Sequence, residues 1–148
     1  MPYYICPNCK KRSVDVDGLE GLSGRRELQC RRCGFGFLFE LMDDYYPAPT
    51  TGFVVCDREA RILATGRDVF QLSGFQESDV LGKDLIETFD LSSGDEQHPA
   101  QVALEWGVRK LGEPLEMRTR SGRRQKVTAD FFPAYDEDGG LLVALTPR

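Results

Sequence analysis

The chain has 148 residues, of which 41% are hydrophobic and 29% charged, with a formal net charge of −5 and a pI near 5.0. That balance fits a water-soluble globular protein made of one ordinary domain, or of a small domain joined to a medium one. It contains no apolar run near the roughly 20 residues that cross a bilayer, and its acidity argues against general nucleic-acid binding.

The start, "MPYYICPNC", has no basic stretch followed by an apolar one. No signal peptide is therefore expected, and the expected compartment is the cytoplasm. In that compartment paired cysteines bind metal or do redox work more often than they form structural disulfides. Two such pairs stand near the front, "CPNCK" and "CRRCG", with Cys6 and Cys9 separated from Cys30 and Cys33 by twenty residues. Two residues between cysteines let a tight turn place both sulfurs on one edge of a tetrahedron, and the second pair supplies the opposite edge. Gly34 suits the left-handed backbone that closes such a turn, and Pro7 stiffens the first one. Between the pairs, "SVDVDGLEGLSGRRELQC" reads as strand, Gly-rich turn and strand. The glycines of "GLEGLSG" lack the Lys-Ser/Thr of a phosphate loop and read as a hairpin tip. After the second pair, Phe35, Phe37, Phe39 and Leu41 alternate as a strand does.

Residues 3–41 thus resemble a zinc ribbon, which implies one structural zinc ion held by Cys6, Cys9, Cys30 and Cys33. A segment this short buries too little apolar surface to fold unaided. Structural zinc contributes roughly 10–16 kcal/mol of apparent binding energy. Iron in a rubredoxin-like site and a dithiol redox pair are the competing readings, although a single pair would suffice for redox work. Residues 1–42 hold seven Lys/Arg against five Asp/Glu. Four thiolates on one Zn²⁺ add a net charge of −2, so the cations beside the cysteines offset the site's own charge. A protein partner or nucleic acid are alternative uses for those cations.

"MDDYYPAPTTG" interrupts the pattern, and Pro47-Ala48-Pro49 is expected to be extended and stiff. The predicted organisation is a ribbon over 1–42, a linker over 43–51 and a second domain over 52–148. In that domain Gly52–Cys56 and Arg61–Ala64 read as strands flanking a turn at "DREA". Short helical pieces follow. Val69 and Leu72 share one side, Gly74-Phe75 ends the first piece, Ser78 or Asp79 caps the next, which stops at Gly82, and "KDLIETF" forms a third. A longer helix is predicted from Pro99 to Gly112, with Ala100, Leu104, Val108 and Leu111 on one face and Ala103 and Gly107 beside it. "LEMRTR" alternates Leu115, Met117 and Thr119 against Glu116, Arg118 and Arg120. Ser121-Gly122 is a hairpin turn, and "QKVTADFFPAY" and "LLVALT" are the last strands.

The run from "GFVVCDREARILATG" through "FQLSGFQESDVLGKDLIETF", with the "HP" helix start, "GEPLEMRTRSGR" and two final strands, resembles a PAS domain over residues 52–148. Thr65-Gly66 departs from the family, where many members carry an Asn. The resemblance implies a five-stranded antiparallel sheet in the order 2-1-5-4-3 with helices over one face, and hence an α+β chain. It also implies a sensory module that encloses a small ligand of unknown identity or associates with protein.

His98 is the sole histidine. It is weighed as a haem ligand and reads more simply as a cap or surface residue. The cysteine motif of blue-light PAS domains is missing, as is the chromophore-holding cysteine of yellow-light-absorbing relatives. Flavin bound without a covalent cysteine stays open. Cys56 is either a small buried apolar residue or a redox-sensitive thiol blunted by Asp57. Asp136, Glu137 and Asp138 read as solvated turn residues, and no catalytic set emerges. Val102 and Trp106, four apart, face away from Leu104 and either cover a domain edge or contact a partner or second subunit.

Three functions compete. The first is a non-catalytic cytoplasmic signalling adaptor, whose PAS-like domain binds a small ligand or protein while the ribbon docks a partner. The second is a redox switch through oxidation of the zinc-bound cysteines. The third is a ribbon regulator associated with transcription or RNA.

Overall fold

The computed structural model describes residues 3–8, 12–13, 39–41, 47–93, 97–133 and 140–148. The chain divides into two compact units, Met1–Pro47 and Ala48–Arg148. The division falls where prolines and threonines interrupt the hydrophobic rhythm. Pro47-Ala48-Pro49 does not run on as a stiff spacer. Thr51 N donates to Ala48 O at 3.0 Å and Ala48 N to Thr51 Oγ1 at 3.1 Å, which closes a turn directly before the next strand.

In the first unit, β1 (Tyr3–Ile5) lies between β2 (Arg12–Ser13) and β3 (Phe39–Leu41), all antiparallel. Ile5 pairs with Arg12 on one side and Phe39 on the other. β3 falls within the alternating run predicted as a strand. β1 was not legible, because three residues without alternation give no periodic signal.

The second unit begins with β4 (Gly52–Cys56) and β5 (Ile62–Thr65), followed by α1 (Asp68–Ser73), α2 (Glu77–Val80), α3 (Leu85–Phe89) and α4 (Pro99–Trp106). It ends with β6 (Lys110–Arg118), β7 (Arg124–Pro133) and β8 (Leu141–Pro147). The five strands are antiparallel in the order β5-β4-β8-β7-β6, the 2-1-5-4-3 arrangement expected from sequence. The β4–β5 turn forms around Asp57, whose Oδ1 accepts from Glu59 N and Arg61 N at 2.8 and 2.9 Å.

Two helix boundaries differ from the prediction. The cap of α2 is Gln76, not Ser78 or Asp79. Asp79 instead sits three residues into the helix and accepts from Gln76 N at 2.9 Å, the return half of a capping box. α4 stops at Gly107 rather than Gly112. Gly107 takes a left-handed φ of 65° and its N–H closes on Ala103 O, which leaves no register for another turn. Val108 and Leu111 therefore do not join the helix's buried face and stay exposed. Ala100 and Ala103 enter the core, and Leu104 packs against it.

Between sheet and helices lies one apolar layer. Val54, Ile62, Leu115, Met117, Val127, Phe131, Val143 and Leu145 meet Val69, Leu85, Phe89, Ala100 and Ala103. Full burial of such side chains is worth about 1.5–3 kcal/mol each. Phe53, Val55, Phe132, Leu142 and Ala144, on the alternate positions, are buried too, so the central strands are covered on both faces. That accounts for the unbroken apolar runs "FVVC" and "LLVAL".

Both sheet edges are occupied. Ile62 exchanges backbone hydrogen bonds with Lys83 and Gly82, and the Glu77 carboxylate accepts from Thr65 N at 2.8 Å. On the other side Ser92 and Glu116 exchange hydrogen bonds at 3.0 and 3.2 Å. Gly112 and Pro114 blunt the rest of β6, where the register shifts.

α1 approaches β4 closely at Gly52. A Cβ there would lie 3.1–3.2 Å from Val69 Cγ2, Cα and N, two of which are backbone atoms that cannot step aside. Gly52→Ala is expected to destabilise the fold by about 1–3 kcal/mol, read as a lower urea midpoint at unchanged slope. An unchanged midpoint would contradict this packing.

Candidate functional site

Between sheet and helices, the described residues pack their own side chains together. Phe89, Phe131, Met117, Leu85 and Val127 each show 0% exposure there. Phe75 packs edge-on to Phe89 at 5.7 Å between ring centroids, and His98 edge-on to Phe131 at 6.0 Å. A concavity among the described residues lies outside this layer. It is an open groove of about 350 Å³ lined by Thr65, Gly66, Arg67, Phe70, Phe75, Gln76 and Glu77.

Local structure builds that groove. Gly66 N donates to Phe53 O at 2.8 Å and turns the chain out of β5 into α1. Ser73 Oγ donates to Val69 O and accepts from Phe75 N, so Phe75 is held against the core. Phe70 remains half exposed on the opposite wall, and Arg67 is exposed at the rim. Glu77 is committed to the β5 edge through Thr65. Phe70 and Phe75 both line the groove. Sequence reasoning missed it, because its walls come from residues separated by a helix and a turn.

His98 is the N-cap of α4, with Nδ1 accepting from Ala100 N at 3.1 Å. The ring therefore keeps Nδ1 unprotonated and spends it on the helix start, as the cap reading of the sequence had it.

No family model matches the chain, and no curated protein matches its sequence. Solved structures do match it. The PAS domain of a Colwellia psychrerythraea protein aligns with a TM-score of 0.54 and 19% identity over 66% of this chain and 86% of that one. The PAS domain of nitrogen regulation protein NR(II) from Vibrio parahaemolyticus aligns with a TM-score of 0.57 and 14% identity over 68% and 91%. The light-state dimer of the fungal blue-light photoreceptor Vivid aligns with a TM-score of 0.57 and 10% identity over 70% and 82%. The second unit has the PAS fold. At these identities the likeness is one of fold.

Within the PAS-fold unit the other singled-out residues are spread apart. Trp106, at the end of α4, is 69% exposed, and Val102, one turn earlier, is half-buried. Val108 and Leu111 extend the exposed apolar surface beyond Gly107. Cys56 lies at the end of β4 with 1% exposure. Burial pushes its thiol far above the usual range, and the charges of Asp57 and Asp84 push it further. Of the four paired cysteines, Cys6 is buried directly after β1, where Pro7 and Asn8 turn the chain. Cys9, Cys30 and Cys33 lie outside the described residues, as do Asp136, Glu137 and Asp138. No helix among the described residues is long and apolar enough to cross a membrane.

The raised pKa sets the chemistry of Cys56, because the thiolate is the reactive form. With iodoacetamide at about pH 8, peptide mapping of the native protein is expected to find Cys56 unmodified, and fully modified once the chain is unfolded. Rapid modification of the native thiol would contradict its placement.

Proposed function

We propose that the chain is a non-catalytic signalling adaptor. Its PAS-fold unit associates with protein through the surface around Trp106, and its first unit is a zinc ribbon. The observation that carries this reading is the contrast between a filled interior and an exposed tryptophan. The layer where a sensory module would hold a small molecule is occupied by Phe89, Phe131 and Met117, while Trp106 is 69% exposed beside Val108 and Leu111. Tryptophan and arginine are the residues most enriched at binding hot spots, and Arg109 stands within this exposed stretch. The PAS fold of Vivid is described as a light-state dimer. For this chain, a second copy or another protein would cover Trp106.

The ribbon reading rests on the donor set. Four cysteines in two Cys-x-x-Cys pairs fit a tetrahedral zinc ion. Cys6 fits its part, buried at the end of a strand and at the start of a turn. Zinc would supply cross-linking and folding energy there, with no open position for substrate. Cys6, Cys9, Cys30 and Cys33 would hold it, and the three-stranded sheet of β1, β2 and β3 would be the structure it supports.

Trp106 is the sole tryptophan, so intrinsic fluorescence reports on this surface alone. Iodide is expected to quench the isolated chain nearly as well as a free indole, and quenching should fall when a partner or second copy binds. Trp106→Ala is expected to leave folding stability within about 0.5 kcal/mol while removing that association. A tryptophan shielded from iodide in the isolated monomer would overturn the interface.

A further inference from the structure

Five of the twelve Lys/Arg of the second unit are gathered at one end of its sheet. Arg118, Arg120, Arg123, Arg124 and Lys126 fall within nine residues that contain no carboxylate. The rest of 48–148 holds seven Lys/Arg against seventeen Asp/Glu, formally −10. A stretch of +5 therefore sits on a strongly acidic body.

The hairpin between β6 and β7 fixes how these charges are shown. Thr119 N donates to Arg123 O and Gly122 N to Thr119 O, both at 2.9 Å, and Gly122 takes the left-handed φ of 92° that the turn requires. Leu115, Met117 and Val127 turn into the core, so Glu116, Arg118, Arg124 and Lys126 share the opposite face. Arg118 and Arg124 are directly paired in register, a like-charge pair that costs stability. Asp90 offsets part of that cost at 4.0 Å from Arg118 and 2.7 Å from Arg124. Glu116 reaches Arg124 at 3.4 Å, and Asp79 reaches Arg120 at 3.5 Å. Three carboxylates thus serve three arginines. Arg123 and Lys126 are exposed and have no ion-pair partner among the described residues. Among the described residues, the hairpin holds more positive charge than is paired.

The surroundings select what could neutralise it. A long polyanion such as nucleic acid would overrun the patch onto the acidic body, and no aromatic side chain lies in 118–126 to stack on a base. An anionic bilayer meets the same repulsion and finds no apolar side chain in the hairpin to insert. A short extended segment bearing several carboxylates fits both the length and the charge, since guanidinium groups bind carboxylates in paired, charge-assisted hydrogen bonds. We propose that the β6–β7 hairpin docks a short acidic peptide segment of a partner protein. This surface is independent of the one around Trp106, and its test does not depend on that reading.

The test titrates the isotope-labelled full chain with a synthetic peptide of eight Glu and Asp residues, followed by NMR. Parallel titrations use an oligothymidylate of equal charge and phosphatidylserine vesicles. Peptide-induced amide shifts are expected to be confined to residues 116–126 and 90–92, with binding that weakens as salt rises. The triple variant Arg120→Glu, Arg123→Glu, Lys126→Glu should lose at least tenfold in affinity. The milder pair Arg123→Ala, Lys126→Ala, which removes no ion pair among the described residues, should lose several-fold if the triple variant fails to fold. Removing cations elsewhere, by Arg61→Ala with Lys83→Ala, should change nothing. Shifts outside residues 116–126 and 90–92, no peptide binding, or tighter binding of the oligonucleotide or vesicles would each overturn the proposal. So would self-association of the chain through these residues.

Discussion

The apolar layer between β4, β8 and β7 and the helices α1, α3 and α4 fixes the position of everything else in the PAS-fold unit. Phe53, Phe89, Phe131 and Phe132 are all within 2% of complete burial, two on each side of the sheet. Truncating one such ring to alanine costs about 3–5 kcal/mol, a large share of the 5–15 kcal/mol by which a domain is stable. The exposed ion pairs contribute at most about 1 kcal/mol each by comparison. The fold is therefore held from inside, and the charged surface is free to serve other ends.

Filling the interior moves chemistry outward. Cys56 reaches into the layer, and the burial that makes it a good filler also withholds its thiolate. His98 spends Nδ1 on the start of α4. The Glu77 carboxylate and the Ser92 backbone are spent on the sheet edges, which blocks addition of a further strand there. What remains outward is an apolar surface at Trp106, a groove between Phe70 and Phe75, and a cationic hairpin at the far end of β6 and β7. Each suits recognition of another molecule.

The sequence made the sheet legible because its signals are local. Alternation of Leu115, Met117 and Thr119 marked the core face of β6, and the Asp57 turn and the Pro99 helix start carried their own chemistry. The strand order followed from the resemblance rather than from periodicity. The end of α4 was misplaced because Ala103 and Gly107 also fit a helical face, and only backbone conformation reveals that Gly107 turns left-handed. The Gln76 cap was hidden because glutamine is a poor capping residue by type, and Asp79 completes the box from inside the helix. The groove and the Arg118–Arg124 pairing depend on tertiary register, which no window of sequence contains. The cysteine spacing was the plainest motif of all, yet of its four members only Cys6 falls among the described residues.

The claim that the PAS-fold unit is filled by its own side chains is tested most directly by comparing the native and denatured masses of the purified full chain. The account expects a native mass exceeding that of the bare chain by a single zinc ion, with nothing organic released on unfolding. A retained organic molecule of several hundred daltons would show that the interior opens to hold a ligand, and the adaptor reading would give way to a small-molecule sensor.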